Sequence, residues 1–146
     1  LRLSDPFLAV EKAIRSNISE VMDKLTYLLA DRIARIMQSW KPQPPTPTDE
    51  MRSVFKCISK LTDSTSDILS SEMLTNLLLR VHAEIKASLR SRLTDLALFP
   101  DGGPKQGLVN SELVIYMKFL CALTPTLAQF TDECDDIWPS RIAEEN

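Results

Sequence analysis

The chain has 146 residues, of which 44% are apolar and 25% are charged, with a formal net charge of −3. This size and composition predict one folded domain and argue against an intrinsically disordered chain. The small negative charge argues against a nucleic-acid partner, because phosphate binding requires clustered Lys and Arg.

The first predicted helix covers residues 6–40. Ser4 and Asp5 are candidate caps, and Pro6 suits a first turn because its missing N–H would have no partner there. Apolar residues follow mainly at steps of three and four, which places them on one face. They are Phe7, Val10, Ile14, Ile18, Val21, Leu25, Leu28, Ile33, Ile36 and Trp40. Without Gly or Pro over residues 7–40, the helix would be about 50 Å long.

Prolines then interrupt the helical pattern. Four of the residues in 41–48 are proline, and because proline cannot continue a helix, we expect an extended connector. Thr48 is a candidate cap for a second helix over 49–69. Asp49 and Glu50 would lie in its first turn, where the helix dipole favours anions.

A third helix is predicted over 71–97, with Ser70 or Ser71 as its cap. Apolar residues occupy consecutive positions at 77–79, which indicates burial on more than one side and a central place in the bundle. Lys86, Arg90 and Arg92 lie on the face away from the leucines. This basic patch is either a solvated face or a surface for an acidic lipid or partner.

All three glycines lie in a predicted loop over 99–109. Its candidate structural residues are Asp101, Gly102, Gly103, Pro104 and Gly107. Glycine permits positive φ, and Asp-Gly favours a turn, so we expect a helix–helix reversal of defined shape. A phosphate-binding loop is disfavoured, because no strand precedes the segment and no Gly-Lys-Ser/Thr sequence ends it.

Two more helices are predicted after this loop, over 111–123 and 125–138. Asn110 is the candidate cap of the first, and Thr124 followed by Pro125 separates the two. Trp138, at the end of the fifth helix, is either a ring that closes off the bundle or an exposed anchor for a partner. The fold class is therefore predicted to be all-α, an elongated bundle of about five helices without strand-like alternation.

Catalytic machinery is not predicted, and neither is a cofactor, a metal site or a small-molecule substrate. The single histidine, His82, lies at the edge of an apolar stripe, and no nucleophile motif accompanies it. The three cysteines, Cys57, Cys121 and Cys134, form no CxxC pair, which argues against a zinc site and favours a reducing compartment. No secretory signal is visible, and the apolar run 113–123 falls short of the roughly 20 residues that span a bilayer.

Residues 99–123, FPDGGPKQGLVNSELVIYMKFLCAL, resemble a known family. With the closing Ile137-Trp138, they are similar to the C-terminal domain of the vacuolar protein sorting 54 subunits of the Golgi-associated retrograde protein tethering complex. The marks are Asp101 to Pro104, Gly107-Leu108-Val109, Tyr116 in a capped helix and the Leu120-x-Ala122-Leu123 step. Upstream, the order of helices is similar, but the match is mainly one of pattern.

The resemblance implies the helical-rod fold of multisubunit tethering complexes, which hold endosome-derived vesicles near the trans-Golgi network before fusion. It also implies a C-terminal domain of a longer parent protein, linked to recruitment onto endosomal membranes. The implied partners are the other tethering-complex subunits, reached through the parent protein, and endosomal or Golgi membrane proteins or lipids. The implied location is cytosolic, peripheral on trans-Golgi network and endosomal membranes.

Three function classes follow from these observations. The first is a non-catalytic domain for membrane recruitment or protein–protein interaction in endosome-to-trans-Golgi retrograde transport. The second is a module that binds anionic lipid through Lys86, Arg90 and Arg92, with steep salt dependence. The third, a secreted four-helix signalling bundle, is disfavoured by the odd cysteine count and the missing leader.

Overall fold

The computed structural model describes residues 4–100, 103–123, 134 and 136–138, with side chains from residue 9 onward except at 11 and 14. All regular structure in these residues is helical, without a strand, which confirms the all-α prediction. The helices are α1 (Ser4–Met37), α2 (Asp49–Thr65), α3 (Ser71–Asp95) and α4 (Pro104–Cys121). Each of these described helices is too short or too polar to cross a lipid bilayer.

Two helix starts lie where the sequence placed them. The Thr48 hydroxyl accepts a hydrogen bond from the Met51 backbone N–H at 3.2 Å, and the Ser70 hydroxyl accepts one from Met73 at 3.2 Å. Each cap satisfies a backbone donor that has no partner inside the helix. The predictions of Thr48 and Ser70 as caps are therefore confirmed.

The first three helices end earlier than residues 40, 69 and 97, where the sequence placed their ends. In α2 the hydroxyl groups of Thr62 and Thr65 bond to carbonyls four residues back, and such bonds weaken a helix end. In α3 the chain turns at Ala97, which has φ of 54°. The Leu98 N–H then bonds to the Leu93 carbonyl at 2.9 Å, which is the hydrogen bond of a Schellman motif.

The predicted loop over 99–109 is wrong from residue 104 onward. Helix α4 begins at Pro104 with Gly103 as its N-cap, and Gly107 lies inside the helix. Proline suits this first turn because its φ is preset and its absent N–H needs no partner. Asn110 is therefore a helix residue and not a cap. Asp101 and Gly102 lie outside the described residues.

The predicted fifth helix, 125–138, falls mostly on residues 124–133 and 135, which lie outside the described part of the chain. Its end is nevertheless corrected. Cys134 has φ of 67°, and a right-handed helix does not run through a residue with positive φ. Residues 136 and 137 form a turn that brings Trp138 onto the bundle.

One hydrophobic core joins the four helices. The C-terminal half of α1 packs against α3 and α2, and α2 also packs against α4. The buried aliphatic side chains contribute about 1.5–3 kcal/mol each. Those that are fully buried include Ile33, Met51, Val54, Ile58, Leu77, Leu78, Val81, Ile85, Leu89, Leu113 and Leu120. Five of these belong to α3, in agreement with its predicted central position.

Candidate interaction surfaces

Helix α4 fastens the proline-rich connector through a buried carboxylate. Glu112, whose exposed fraction is 1%, accepts hydrogen bonds from the Trp40 indole N–H at 3.1 Å and from the Thr48 backbone N–H at 3.1 Å. The Thr48 hydroxyl also donates to it. Hydrogen bonds to a charged acceptor are stronger than neutral ones. Glu112 thus joins both ends of the connector to α4.

Sequence reasoning missed this role of Glu112. A signal was present, because Glu112 lies directly before Leu113 and Val114 in a strongly apolar segment. A carboxylate inside such a segment is buried only when it is paired or hydrogen-bonded. Its partners Trp40 and Thr48 are 72 and 64 residues away in sequence, and no local pattern identifies them.

Two further polar side chains of α4 hold other parts of the chain. The Trp138 indole N–H donates to the Asn110 side-chain oxygen at 2.6 Å. The Tyr116 hydroxyl lies 2.6 Å from His82 Nδ1, and the two rings stack with centroids 5.7 Å apart. His82 is therefore buried and bonded inside the bundle, in agreement with its predicted place beside an apolar stripe.

Trp138 does not present a surface for a partner. Its exposed fraction is 1%, and its only polar side-chain atom is bonded to Asn110. Of the two interpretations of Trp138, the exposed anchor is wrong and the ring that closes off the bundle agrees with the structure. A buried indole finds a hydrogen-bond partner, as Trp40 also does with Glu112.

The predicted basic patch on α3 is divided. Lys86 and Arg90 meet on the carboxylate of Asp136, with Nζ at 3.0 Å and a guanidinium nitrogen at 3.5 Å. Arg92 instead donates from Nε to the Trp40 backbone carbonyl at 2.9 Å. One acid of the C-terminal region therefore lies against two of the three predicted cations. Arg92, the third cation, instead stabilises the chain just after α1, at Trp40.

Helix α1 carries an exposed apolar face. Its buried side chains are Met22, Thr26, Leu29, Ile33 and Met37, at helical spacing. Val10, Val21 and Leu28 belong to the predicted stripe, yet they are more than half exposed, at 57%, 55% and 57%. The predicted stripe therefore does not form one buried face, because Ile33 of the same stripe is buried and these three residues are not. A single helix has room for two apolar faces, and only one of them is covered.

Within the described residues, no group of three or more His, Cys, Asp or Glu side chains is placed to hold a metal ion. The buried polar groups described above are engaged in holding the helices and the connector together. Outside the core, the described residues present the exposed face of α1 and the grooves beside it.

The fold is that of a C-terminal helical domain from a subunit of a multisubunit complex. The solved structure of the C-terminal domain of the Vps54 subunit of the GARP complex superposes with a TM-score of 0.82 and is 27% identical, covering 89% of this chain and 98% of that domain. A second Vps54 C-terminal domain structure gives a TM-score of 0.81 at 26% identity, over 92% of this chain and 94% of that one.

Sequence comparison finds similarity to full-length proteins of the same name. The chain is 28% identical to Vacuolar protein sorting-associated protein 54 of Drosophila melanogaster over 88% of its length, and 28% identical to that of Mus musculus over 78%. It spans 14% and 12% of those two proteins. No protein-family model matches the chain. The resemblance to the Vps54 C-terminal domain is thereby confirmed in both sequence and fold.

Proposed function

We propose that this chain is a non-catalytic interaction domain of a vesicle-tethering subunit, which acts in endosome-to-trans-Golgi retrograde transport. The single observation that carries the proposal is its likeness to the C-terminal domain of the Vps54 subunit of the GARP complex, in fold and at 27% identity. The location would be peripheral, on trans-Golgi network and endosomal membranes. Partners would be the other tethering-complex subunits, reached through a longer parent protein, together with membrane proteins.

The arrangement of polar groups supports a role in presenting surfaces. Glu112, Asn110 and Tyr116 each hold a distant part of the chain inside the bundle, and buried hydrogen bonds of this kind make a packed domain more rigid. A rigid domain loses little conformational entropy when a partner binds, which favours affinity.

A domain exchange tests this proposal. In cells that lack Vps54, mouse Vps54 whose C-terminal domain is replaced by this chain should restore the return of cycling cargo from endosomes to the trans-Golgi network. The control is the same chimera with Leu120→Asn, which introduces a polar group into the core at a fully buried position. A chimera that assembles with the other subunits at normal abundance but restores no transport would contradict the proposal.

The lipid-binding hypothesis is less favoured. Its three cations are Lys86, Arg90 and Arg92, and each already contacts an oxygen of the chain. An anionic headgroup would have to compete with Asp136 for two of them. The hypothesis requires binding to phosphatidylserine vesicles that falls steeply with salt, and that is lost in Lys86→Ala/Arg90→Ala. Binding that is insensitive to salt would eliminate it.

A further inference from the structure

A groove of about 370 Å³ runs between α1 and α2. Its floor is apolar and consists of Leu29, Ile36 and Cys57, all at least half-buried. Its rim carries three exposed cations, Arg32, Lys56 and Lys60. We call this feature the basic groove.

The basic groove has no acidic lining residue among the described residues. Arg32, Lys56 and Lys60 also take no part in the ion pairs found among the described residues. Those pairs involve other basic residues. Three like charges around an apolar floor create a local positive potential, although the whole chain has a net charge of −3. A positively charged cleft of this kind attracts and steers anionic groups.

The opposite side of α1 provides an internal comparison. The groove between α1 and α3 is lined by Asp23, Asp31, Glu84 and a single cation, Arg80. There the charges are partly balanced, because Arg80 pairs with Asp23 at 2.6 Å. The two sides of one helix thus differ in the sign of their charge, and the basic groove combines its cations with an apolar floor.

We propose that the basic groove binds an acidic amphipathic peptide segment of a partner protein. Apolar side chains of the segment would cover Leu29, Ile36 and Cys57, while its carboxylates would pair with Arg32, Lys56 and Lys60. Charge complementarity identifies the occupant as acidic, and the apolar floor requires side chains that replace water there. The proposal deepens the proposed function, on which it rests, by giving the interaction domain a surface and a class of partner.

A peptide fits this groove better than a membrane does. The apolar atoms lie on the floor between two helices, and a bilayer surface would meet the charged rims before it reached them. A single peptide helix inserts its apolar face into a hydrophobic groove through residues at i, i+3, i+4 and i+7. The floor therefore favours a segment of protein over a lipid surface.

The test uses a labelled synthetic peptide of about 14 residues, with Leu at i, i+3, i+4 and i+7 and Glu at most other positions. A second peptide has Lys in place of Glu. Fluorescence anisotropy should show binding of the Glu peptide and none of the Lys peptide. The double variant Lys56→Glu/Lys60→Glu should weaken binding about tenfold or more, because two attractive contacts become repulsive.

The matched control is Lys12→Glu/Lys105→Glu, which makes the same charge change at exposed positions outside the groove. It should keep the affinity within about twofold, because screening reduces the effect of remote surface charges. All four substitutions are at exposed lysines, so circular dichroism should show folded protein in each case. Equal weakening by the control and the groove variant would contradict the proposal.

Cys57 gives an independent measurement of location. A Glu peptide with a bromoacetyl group at one apolar anchor should alkylate the Cys57 sulfur with loss of bromide, and Cys57→Ser should abolish the cross-link. Failure of the Glu peptide to bind, equal binding of the Lys peptide, or binding only to phosphatidylserine vesicles would each overturn the proposal.

The transport assay separates the two proposals. A chimera with Lys56→Glu/Lys60→Glu that has lost peptide binding but still restores transport would overturn the groove's part in the function and leave the domain's role intact. A wild-type chimera that binds the peptide but restores no transport would overturn the role in retrograde transport instead.

Discussion

Helix α4 and the first part of α1, up to Val21, both depart from the burial that their sequence patterns predict, and they do so in opposite directions. Apolar residues of α1 are exposed, whereas polar residues of α4 are buried. The predicted apolar stripe of α1 runs at steps of three and four from Phe7 to Leu28, yet Val10 and Val21 are more than half exposed. Helix α4 has apolar residues on most sides, with polar residues among them. Even so, Asn110, Glu112 and Tyr116 are all buried, at 5%, 1% and 0%.

This difference shows what periodicity measures. An apolar stripe indicates that a helix has a face that favours contact, but only the tertiary structure decides which elements reach that face. The covered face of α1 begins at Met22, where α3 lies beside it, as the ion pair between Asp23 and Arg80 also shows. In α4, neighbours on several sides make polar residues internal, and each finds a specific partner.

The largest expected loss of stability comes from a substitution at a buried position of α4. Leu120→Asn should lower the free energy of unfolding by about 4 kcal/mol, because it leaves a cavity and an unpaired amide in the core. Val21→Asn, on the exposed face of α1, should cost about 0.5 kcal/mol or less. Urea denaturation measures both. Similar losses in the two variants would refute the contrast between the regions.

The second effect concerns the connector. Glu112→Ala should cost about 2–3 kcal/mol, because the Trp40 indole and the Thr48 backbone N–H lose their acceptor in a buried site. Glu84→Ala, at an exposed position of α3, should cost under about 0.5 kcal/mol. Equilibrium unfolding followed by tryptophan fluorescence reports both. A Glu112 variant as stable as the control would show that the carboxylate does not hold the connector.

A smaller effect is expected from one hydroxyl group. Tyr116→Phe keeps the ring stacked on His82 but removes the hydrogen bond, so it should lower stability by about 1 kcal/mol. Tyr27→Phe removes the same group from a residue that is 71% exposed, and it should change stability by less than about 0.5 kcal/mol. Paired thermal and urea unfolding curves compare the two. A larger loss at Tyr27 would reverse the assignment of burial.

The smallest effect on stability is expected at Asp136. Asp136→Asn removes surface ion pairs with Lys86 and Arg90 and should cost at most about 1 kcal/mol. The same change should increase salt-sensitive binding to phosphatidylserine vesicles, because the two cations lose their common acid. Asp31→Asn, which removes the exposed ion pair with Arg35, serves as the control in vesicle sedimentation. Unchanged vesicle binding would show that Asp136 does not limit lipid binding by the basic patch.

Local signals in the sequence predicted the local features well. Thr48 and Ser70 cap their helices as expected, since a cap depends only on residues three positions apart.

The start of α4 was predicted wrongly although Gly103-Pro104 is a recognised sequence for a helix start. Gly107 suggested a longer loop, but a helix accepts one glycine at a cost of about 1 kcal/mol when its other residues are well buried.

The candidate surfaces were harder to predict. Lys86, Arg90 and Arg92 lie close in sequence, but their partners Asp136 and Trp40 lie far along the chain. The basic groove joins Arg32 of α1 to Lys56 and Lys60 of α2, and the sequence gives no measure of how two helices align. Net charge could not reveal the groove either, because distant acids in the chain cancel its cations.

Local patterns of residues were enough to specify the helical class, the break at the prolines, two of the helix caps and the resemblance to the Vps54 C-terminal domain. These depend on local hydrogen bonding, backbone sterics and apolar spacing, which act over a few residues. The burial of Trp138 and Glu112, the exposed part of α1 and the three cations around one groove became apparent only from the packed helices. Burial and charge pairing depend on which distant segments meet, and that is set by the packing of the whole core.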